Sequence, residues 1–180
     1  MQIKVVRGDV TDVGGDVVIV GHLEGVDKCG GAFETLDGAL RGRLVKFYEE
    51  EKLRTALGSV TVFKTHGRVA TARVIIVGLG KKEDLTVDGV RNAVARAMRT
   101  AQRKKAKTVN VIAMGAGHGG LASKQVAAAI AEGAHLGLYR FDKWRREDEE
   151  NPIVDIELVQ IVEKDARKIS SITQGIEVGV

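Results

Sequence analysis

The stretch Arg73-Val74-Ile75-Ile76-Val77-Gly78-Leu79-Gly80-Lys81-Lys82-Glu83-Asp84-Leu85-Thr86 decides the fold class. Residues 74–77 are apolar without alternation, so both faces of the strand they form need cover, as in the middle of a sheet packed between helices. Gly78 and Gly80 permit a sharp exit at the strand's C-terminal end. The hydroxyl of Thr86 is then placed to accept an unpaired backbone N–H at the start of the next helix. Strand, glycine turn and capped helix make one repeating unit of an α/β domain. The turn Gly78-Leu79-Gly80-Lys81-Lys82 matches neither the Walker A pattern nor the full dinucleotide fingerprint, and it reads as sheet architecture rather than as a nucleotide site.

Working outward, residues 58–64 alternate enough for a strand, and His66-Gly67-Arg68 turns that strand back to lie beside residues 74–77 as a hairpin neighbour. On the other side, Val90, Ala93, Val94, Ala97, Met98 and Ala101 recur at the spacing of one apolar helix stripe. The opposite face carries Arg91, Arg96, Arg99, Arg103 and Lys104, with no aromatic residue among them for bases to stack on, so it reads as a solvated face. Residues 108–114 form another apolar strand. Ser123 is placed to cap a helix with the core face Val126, Ala129, Ile130, Gly133 and Gly137, whose two glycines would let it approach the sheet closely.

Nearer the N-terminus, residues 3–6 read as a first strand and 16–20 as a buried one, and from Phe33 onward Leu36, Ala39, Leu40, Leu44 and Phe47 share one helix face. Residues 145–150 read as an exposed charged loop, residues 153–162 as a last strand, and Asp165 as the cap of a final helix through Ile169, Ile172 and Ile176. About six strands and four helices in this alternation predict a three-layer α/β/α architecture with a mostly parallel, mixed sheet. No linker rich in Pro or Ser divides the chain, so residues 1–180 read as one domain.

Composition sets further bounds. A chain of 180 residues can bury roughly 70% of the surface it exposes when unfolded. Its one cysteine, Cys29, cannot make an internal disulfide, and no signal-peptide pattern opens the sequence, so a cytoplasmic setting is expected. No apolar run approaches the ~20 residues needed to cross a bilayer, so no membrane partner is expected. The net charge of +4 is too weak a bias to imply nucleic acid without a concentrated patch. His22, His66, His118 and His135 stand far apart and outside any His-x-x-x-His pattern, so no metal motif exists. No Gly-x-Ser-x-Gly elbow is present, and Cys29 alone makes a weak nucleophile.

The glycine-rich loops carry the functional signal. Gly30-Gly31 and Gly115-Ala116-Gly117-His118-Gly119-Gly120 fall between strands and helices, where backbone N–H groups and helix dipoles can receive phosphate oxygens. The topology permits both to share one crevice at the carboxyl edge of the sheet. His118, inside the second loop, is the histidine best placed to meet a ligand.

Three stretches carry a family resemblance: Leu36-Asp37-Gly38-Ala39-Leu40, the opening stretch, and Glu132-Gly133-Ala134-His135-Leu136-Gly137-Leu138-Tyr139-Arg140-Phe141-Asp142-Lys143. In order and spacing they resemble the N-terminal domain of the cytosolic leucyl aminopeptidase family, and the Tyr-x-Phe-Asp core of the third is the most specific. The resemblance implies a macro-like α/β fold that precedes a separate domain holding two divalent metals and all catalytic residues. No counterpart of that domain's metal-binding lysine, aspartate and glutamate motifs stands in this sequence, so no cofactor is expected here and no catalytic residue carries over. A non-catalytic role in binding, regulation or assembly follows from the resemblance, with a peptidase catalytic domain or a homo-oligomer as partner.

A second resemblance overlaps the first. Gly8-Asp9-Val10-Thr11, the strand from Asp16, Gly30-Gly31-Ala32 and residues 115–120 are similar in order to the ligand-binding segments of ADP-ribose-binding macro domains. By that likeness Asp9 would meet an adenine amino group, while Gly30, Gly31, Gly115, Gly117, His118, Gly119 and Gly120 would line the diphosphate. The Asn-Ala-Ala-Asn stretch of active macro domains is replaced by Val20-Gly21-His22-Leu23, which speaks against ADP-ribose hydrolysis. Three roles therefore stand side by side: a binding or assembly domain, a receptor for ADP-ribose or a related nucleotide, and, more weakly, a DNA-contacting domain using residues 91–107.

Overall fold

The structure is a computed structural model that describes residues 1–25, 31–51, 55–117, 119–139 and 154–180. In chain order its elements are β1 (Gln2–Arg7), β2 (Gly15–His22), α1 (Ala32–Ala39), α2 (Arg43–Glu50), β3 (Val60–Lys64), β4 (Thr71–Gly78), α3 (Val87–Arg103), β5 (Thr108–Ile112), α4 (Ser123–Leu138), β6 (Leu158–Glu163) and α5 (Ala166–Gly179). The strands form one sheet in the order β1-β6-β5-β2-β4-β3, parallel throughout except for β3, which runs antiparallel to β4. His66 and Gly67 both take the positive φ that a tight hairpin turn of this hand requires.

The sheet's two faces explain why β4 lacks polar alternation. Val17, Ile19, Ile75 and Val77 pack with α3, α4 and α5, while Val18, Val20, Val74 and Ile76 pack under Phe33, Leu36, Leu40 and Leu44 of the α1–α2 segment. Every second residue of β2 and β4 meets a different helical layer, and both layers are apolar. The predicted caps at Thr86 and Asp165 are present: the Gly89 amide donates to Thr86 Oγ1 at 3.0 Å, and the Arg167 amide donates to Asp165 Oδ1 at 3.0 Å.

Four expectations need correction. The helical pattern from Phe33 is two helices, because Arg41 and Gly42 turn to positive φ and the Asp37 carboxylate accepts the Leu44 and Val45 amides at 2.9 and 3.0 Å, restarting the helix. Ser123 does not cap α4; it is the helix's first residue, and Ala122 precedes it without a side-chain bond. The last strand begins at Leu158, several residues later than its apolar pattern predicts. Gly133 and Gly137 approach another helix, not the sheet. A Cβ on Gly133 would lie 2.5 Å from the Arg91 carbonyl oxygen, and one on Gly137 would lie 2.6 Å from that of Ala95.

Gly175 and Gly179 of α5 repeat the device against the carbonyls of Lys124 and Ala128, at 2.3 and 2.5 Å. Both contacts advance four residues on each helix, so α3, α4 and α5 lie parallel with their backbones in close approach. Cys29, the loop at 145–150 and residues 140–143 of the Tyr-x-Phe-Asp stretch lie outside the described residues.

Candidate functional site

β2 and β5 are neighbours, yet the helix after β2 packs on one face of the sheet and the helix after β5 packs on the other. Chain departing to opposite faces leaves a gap at the carboxyl edge between the two strands. That gap is a crevice of about 500 Å³. It gathers residues that follow five different strands, and the sequence-predicted Asp9, Gly31, Gly115, Gly117 and Gly119 all line it. Gly120 does not line it, and Gly30 and His118 lie outside the described residues.

Asp9 follows β1 in a turn of its own making. Its Oδ1 accepts the Thr11 amide at 3.0 Å and the Thr11 hydroxyl at 2.8 Å, and its carbonyl accepts the amides of Asp12 and Val13. The Thr11 bonds, backbone first, hold the Asp9 carboxyl below the usual carboxylate range, with the charge of Lys164 adding to the effect. The loop is also pinned to the sheet beneath it. Buried Asn110 of β5 donates to the Val13 carbonyl at 2.8 Å, and Gln160 of β6 donates to the Gly14 carbonyl and to Asn110 Oδ1, each at 3.2 Å. These amides satisfy one another and the loop carbonyls, so Asp9 is presented from a fixed frame.

The second glycine loop needs its glycines for two distinct reasons. Gly115 and Gly117 have φ near 89° and 82°, where a side chain is strained. At Gly119 a Cβ would lie 2.4 Å from the Gly115 carbonyl oxygen. The loop closes on itself through Gly120 donating to Gly117 and Leu121 donating to Gly115, at 2.9 and 3.1 Å. That bond uses the Gly120 amide inside the turn. The Gly117 amide faces the Leu121 carbonyl in the bridge between Ala116 and Leu121, whereas the amides of Gly115 and Gly119 donate to no acceptor among the described residues. Nothing lies within 4 Å of a Cβ placed on Gly117 or Gly31, so both open onto free space.

The histidine on the crevice wall is His22, at the end of β2. Its ring lies 5.4 Å from that of Phe33 and 4.5 Å from that of Tyr48, and burial lowers its pKa, favouring the neutral imidazole. Gly21 beside it lets Leu79 and Met114 close over the strand end; a Cβ there would lie 2.6 Å from the Leu79 side chain. Three lysines also line the crevice: Lys82, from the turn read as sheet architecture, and Lys164 and Lys168, which the sequence left unmarked. Lys168 is engaged with Glu163 at 4.0 Å, while Lys82 and Lys164 are exposed. The readable signal for His22 was position: it stands at the carboxyl end of a parallel strand.

The basic face of α3 is largely spoken for within the fold. Arg91 pairs with Asp88 and Glu132, Arg99 donates to the Gly137 carbonyl near the end of α4 at 2.9 Å, and Arg103 donates to Thr100 Oγ1 at 3.1 Å. Among the described residues no three His, Cys, Asp or Glu side chains stand together to hold a metal. No described helix is long and apolar enough to cross a membrane.

Residues 17–148 match the family described as "Cytosol aminopeptidase family, N-terminal domain". The probable cytosol aminopeptidases of Alkaliphilus metalliredigens and Alkaliphilus oremlandii are 29% and 30% identical to this chain over 180 and 148 residues. Those alignments cover 99% and 82% of this chain but 36% and 30% of the relatives, so the chain spans about a third of their length.

Among solved structures, a mutant of tomato leucine aminopeptidase superposes with a TM-score of 0.74 at 22% identity, over 94% of this chain and 35% of that one. A mutant macrodomain of Oceanobacillus iheyensis gives 0.74 at 18% identity, over 97% of this chain and 89% of that one. Another mutant of that macrodomain, solved with ADPR, gives 0.70 at 18%, over 97% and 90%. The structural likenesses establish a macro-like fold, and the sequence matches go further: this chain belongs to the cytosol aminopeptidase family and corresponds to its N-terminal domain.

Proposed function

We propose that this N-terminal domain is a non-catalytic binding module and that its crevice receives the diphosphate of a nucleotide such as ADP-ribose. One observation carries the reading: the amides of Gly115 and Gly119, without acceptors among the described residues, lie on the same crevice as Gly31 and the lysines Lys82 and Lys164. A diphosphate is rich in acceptors and has no donors, so it complements a wall of free N–H groups and ammoniums. Asp9 supplies an acceptor at the far end for an amino group, since its Oδ1 is held by Thr11 while no protein donor meets Oδ2 among the described residues. Peptide hydrolysis, in this reading, belongs to the part of the relatives' length that this chain does not span. The module would then act by binding, with regulation or assembly of an attached peptidase as its consequence.

Calorimetry with ADP-ribose tests the proposal. Wild type should bind, Asp9→Asn should lose several-fold in affinity while keeping the turn's acceptor, and Gly117→Val should lose more, because its side chain enters the free space where the ligand lies. Circular dichroism must show all three folded. No heat from folded wild type at millimolar ligand would sink the proposal and leave the glycine loops as turns.

A further inference from the structure

We propose that the crevice is indifferent to the base and takes nucleoside-diphosphate sugars as a class, an inference that rests on the diphosphate reading above. The first observation concerns the wall itself. Among the described residues no phenyl, phenol or indole ring lines the crevice. The one ring among the described residues that does, His22, stands on β2, three strands from Asp9 on the β1 side, which is about 14 Å across the sheet. A base lying at Asp9 therefore has no ring to stack on, and stacking is the contact through which binding sites ordinarily hold a base's face.

The second observation is what replaces it. β1 and β6 are parallel neighbours with Arg7 beside Glu163, so Asp9 and Lys164 leave adjacent strands at the same edge, and both line the crevice. They are close enough for Lys164 to act on the Asp9 carboxyl. Together they offer an acceptor and a donor side by side. Adenine and cytosine present an amino donor beside a ring nitrogen acceptor; uracil and guanine present a ring N–H beside a carbonyl oxygen. The carboxylate can take the donor of any of these and the ammonium the acceptor, and the flexible lysine stem with its three rotatable donors accommodates the difference in position.

The third observation is length. From Asp9 past β1 to Lys82 past β4 the crevice crosses four inter-strand steps, about 19 Å. That is room for a base, a ribose, a diphosphate on the glycine amides and a second sugar laid in line, with Lys82 at the distal end.

The test is calorimetry of the chain with ADP-ribose, UDP-glucose and GDP-mannose, on wild type and Lys164→Met. Lys164 is exposed, so its replacement leaves the core untouched, and circular dichroism verifies this. Wild type should bind all three with dissociation constants within about threefold of one another. Lys164→Met should weaken all three alike, about three- to tenfold, because each base keeps Asp9 for its N–H and loses the donor to its acceptor. Two results would overturn the inference while leaving the diphosphate reading intact. These are a tenfold or larger preference of wild type for ADP-ribose, and unchanged binding of all three ligands in Lys164→Met. Silence from all three ligands would take down both.

Discussion

Replacing Gly133 by alanine should destabilise the fold, although alanine is the better helix former. In an exposed helix the exchange gains about 1 kcal/mol, because glycine loses more backbone freedom on folding. Here the new Cβ would stand 2.5 Å from the Arg91 carbonyl oxygen and 3.1 Å from Val94 Cβ. The first of these neighbours is backbone and cannot rotate away, so α4 must back off from α3 along its length. Overpacking of this kind costs about 1–3 kcal/mol and here also loosens the Gly137 contact one turn on. The net expectation is a loss of about 1–2 kcal/mol, or roughly 2–8 °C in Tm for a chain of this size.

Gly38 supplies the control: it lies in α1, and nothing stands within 4 Å of its Cβ position. Gly38→Ala should therefore stabilise by about 0.5–1 kcal/mol. Urea denaturation of both variants, with unchanged m-values, reads the difference. The backbone-contact account of the three-helix layer is refuted if Gly133→Ala matches or exceeds wild type while Gly38→Ala behaves as expected.

Two further expectations concern single side chains. Asp37→Ala removes the acceptor that starts α2 and should cost about 1 kcal/mol in urea denaturation; no change would mean that the helix restarts without its cap. The Asp9 carboxyl has a depressed pKa in the fold, so its contribution to stability is fully present above the unfolded value of about 3.9 and is lost as pH falls through the lower folded value. Asp9→Asn should flatten the dependence of urea stability on pH in that acid window and leave its slope near neutrality alone; an unchanged acid limb would show that the Thr11 bonds are not formed in solution.

Much of the fold was legible in local chemistry. The unbroken apolar run of β4, the single stripe of α3 and the caps at Thr86 and Asp165 each depend on residues within a few positions of one another, and each stands where the pattern puts it. What escaped depends on distance. The break between α1 and α2 needs a carboxylate reaching seven and eight residues ahead and an arginine in left-handed backbone, neither of which disturbs the apolar period of Leu36, Leu40 and Leu44. The glycine pairs of α4 and α5 show their spacing in the sequence but not what they face, because two apolar layers compete for them. In the crevice, the glycines were readable from turn chemistry, and Asp9 was named only through the resemblance to ADP-ribose-binding macro domains. Lys164 was not, since it matters only because β6 inserts beside β1, and strand order is a property of the assembled sheet.

That insertion also fixes when the fold can close. Gln2 pairs with Leu158 and Arg7 with Glu163, so β1 has no ladder until β6, the last strand of this sheet in chain order, has been made. The β2-β4-β3 half of the sheet and its α1–α2 cover need only the first half of the chain, whereas β1 remains unpaired throughout. Long-range parallel pairing of this kind is intrinsically slow, because its loop-closure entropy is lost before any contact compensates. Asp9 directly follows that late strand, and its loop is held by Asn110 and Gln160 of β5 and β6. The crevice is thus among the last features to form during synthesis, and a nascent chain stalled short of β6 would carry the glycine loops without the end of the site that Asp9 completes.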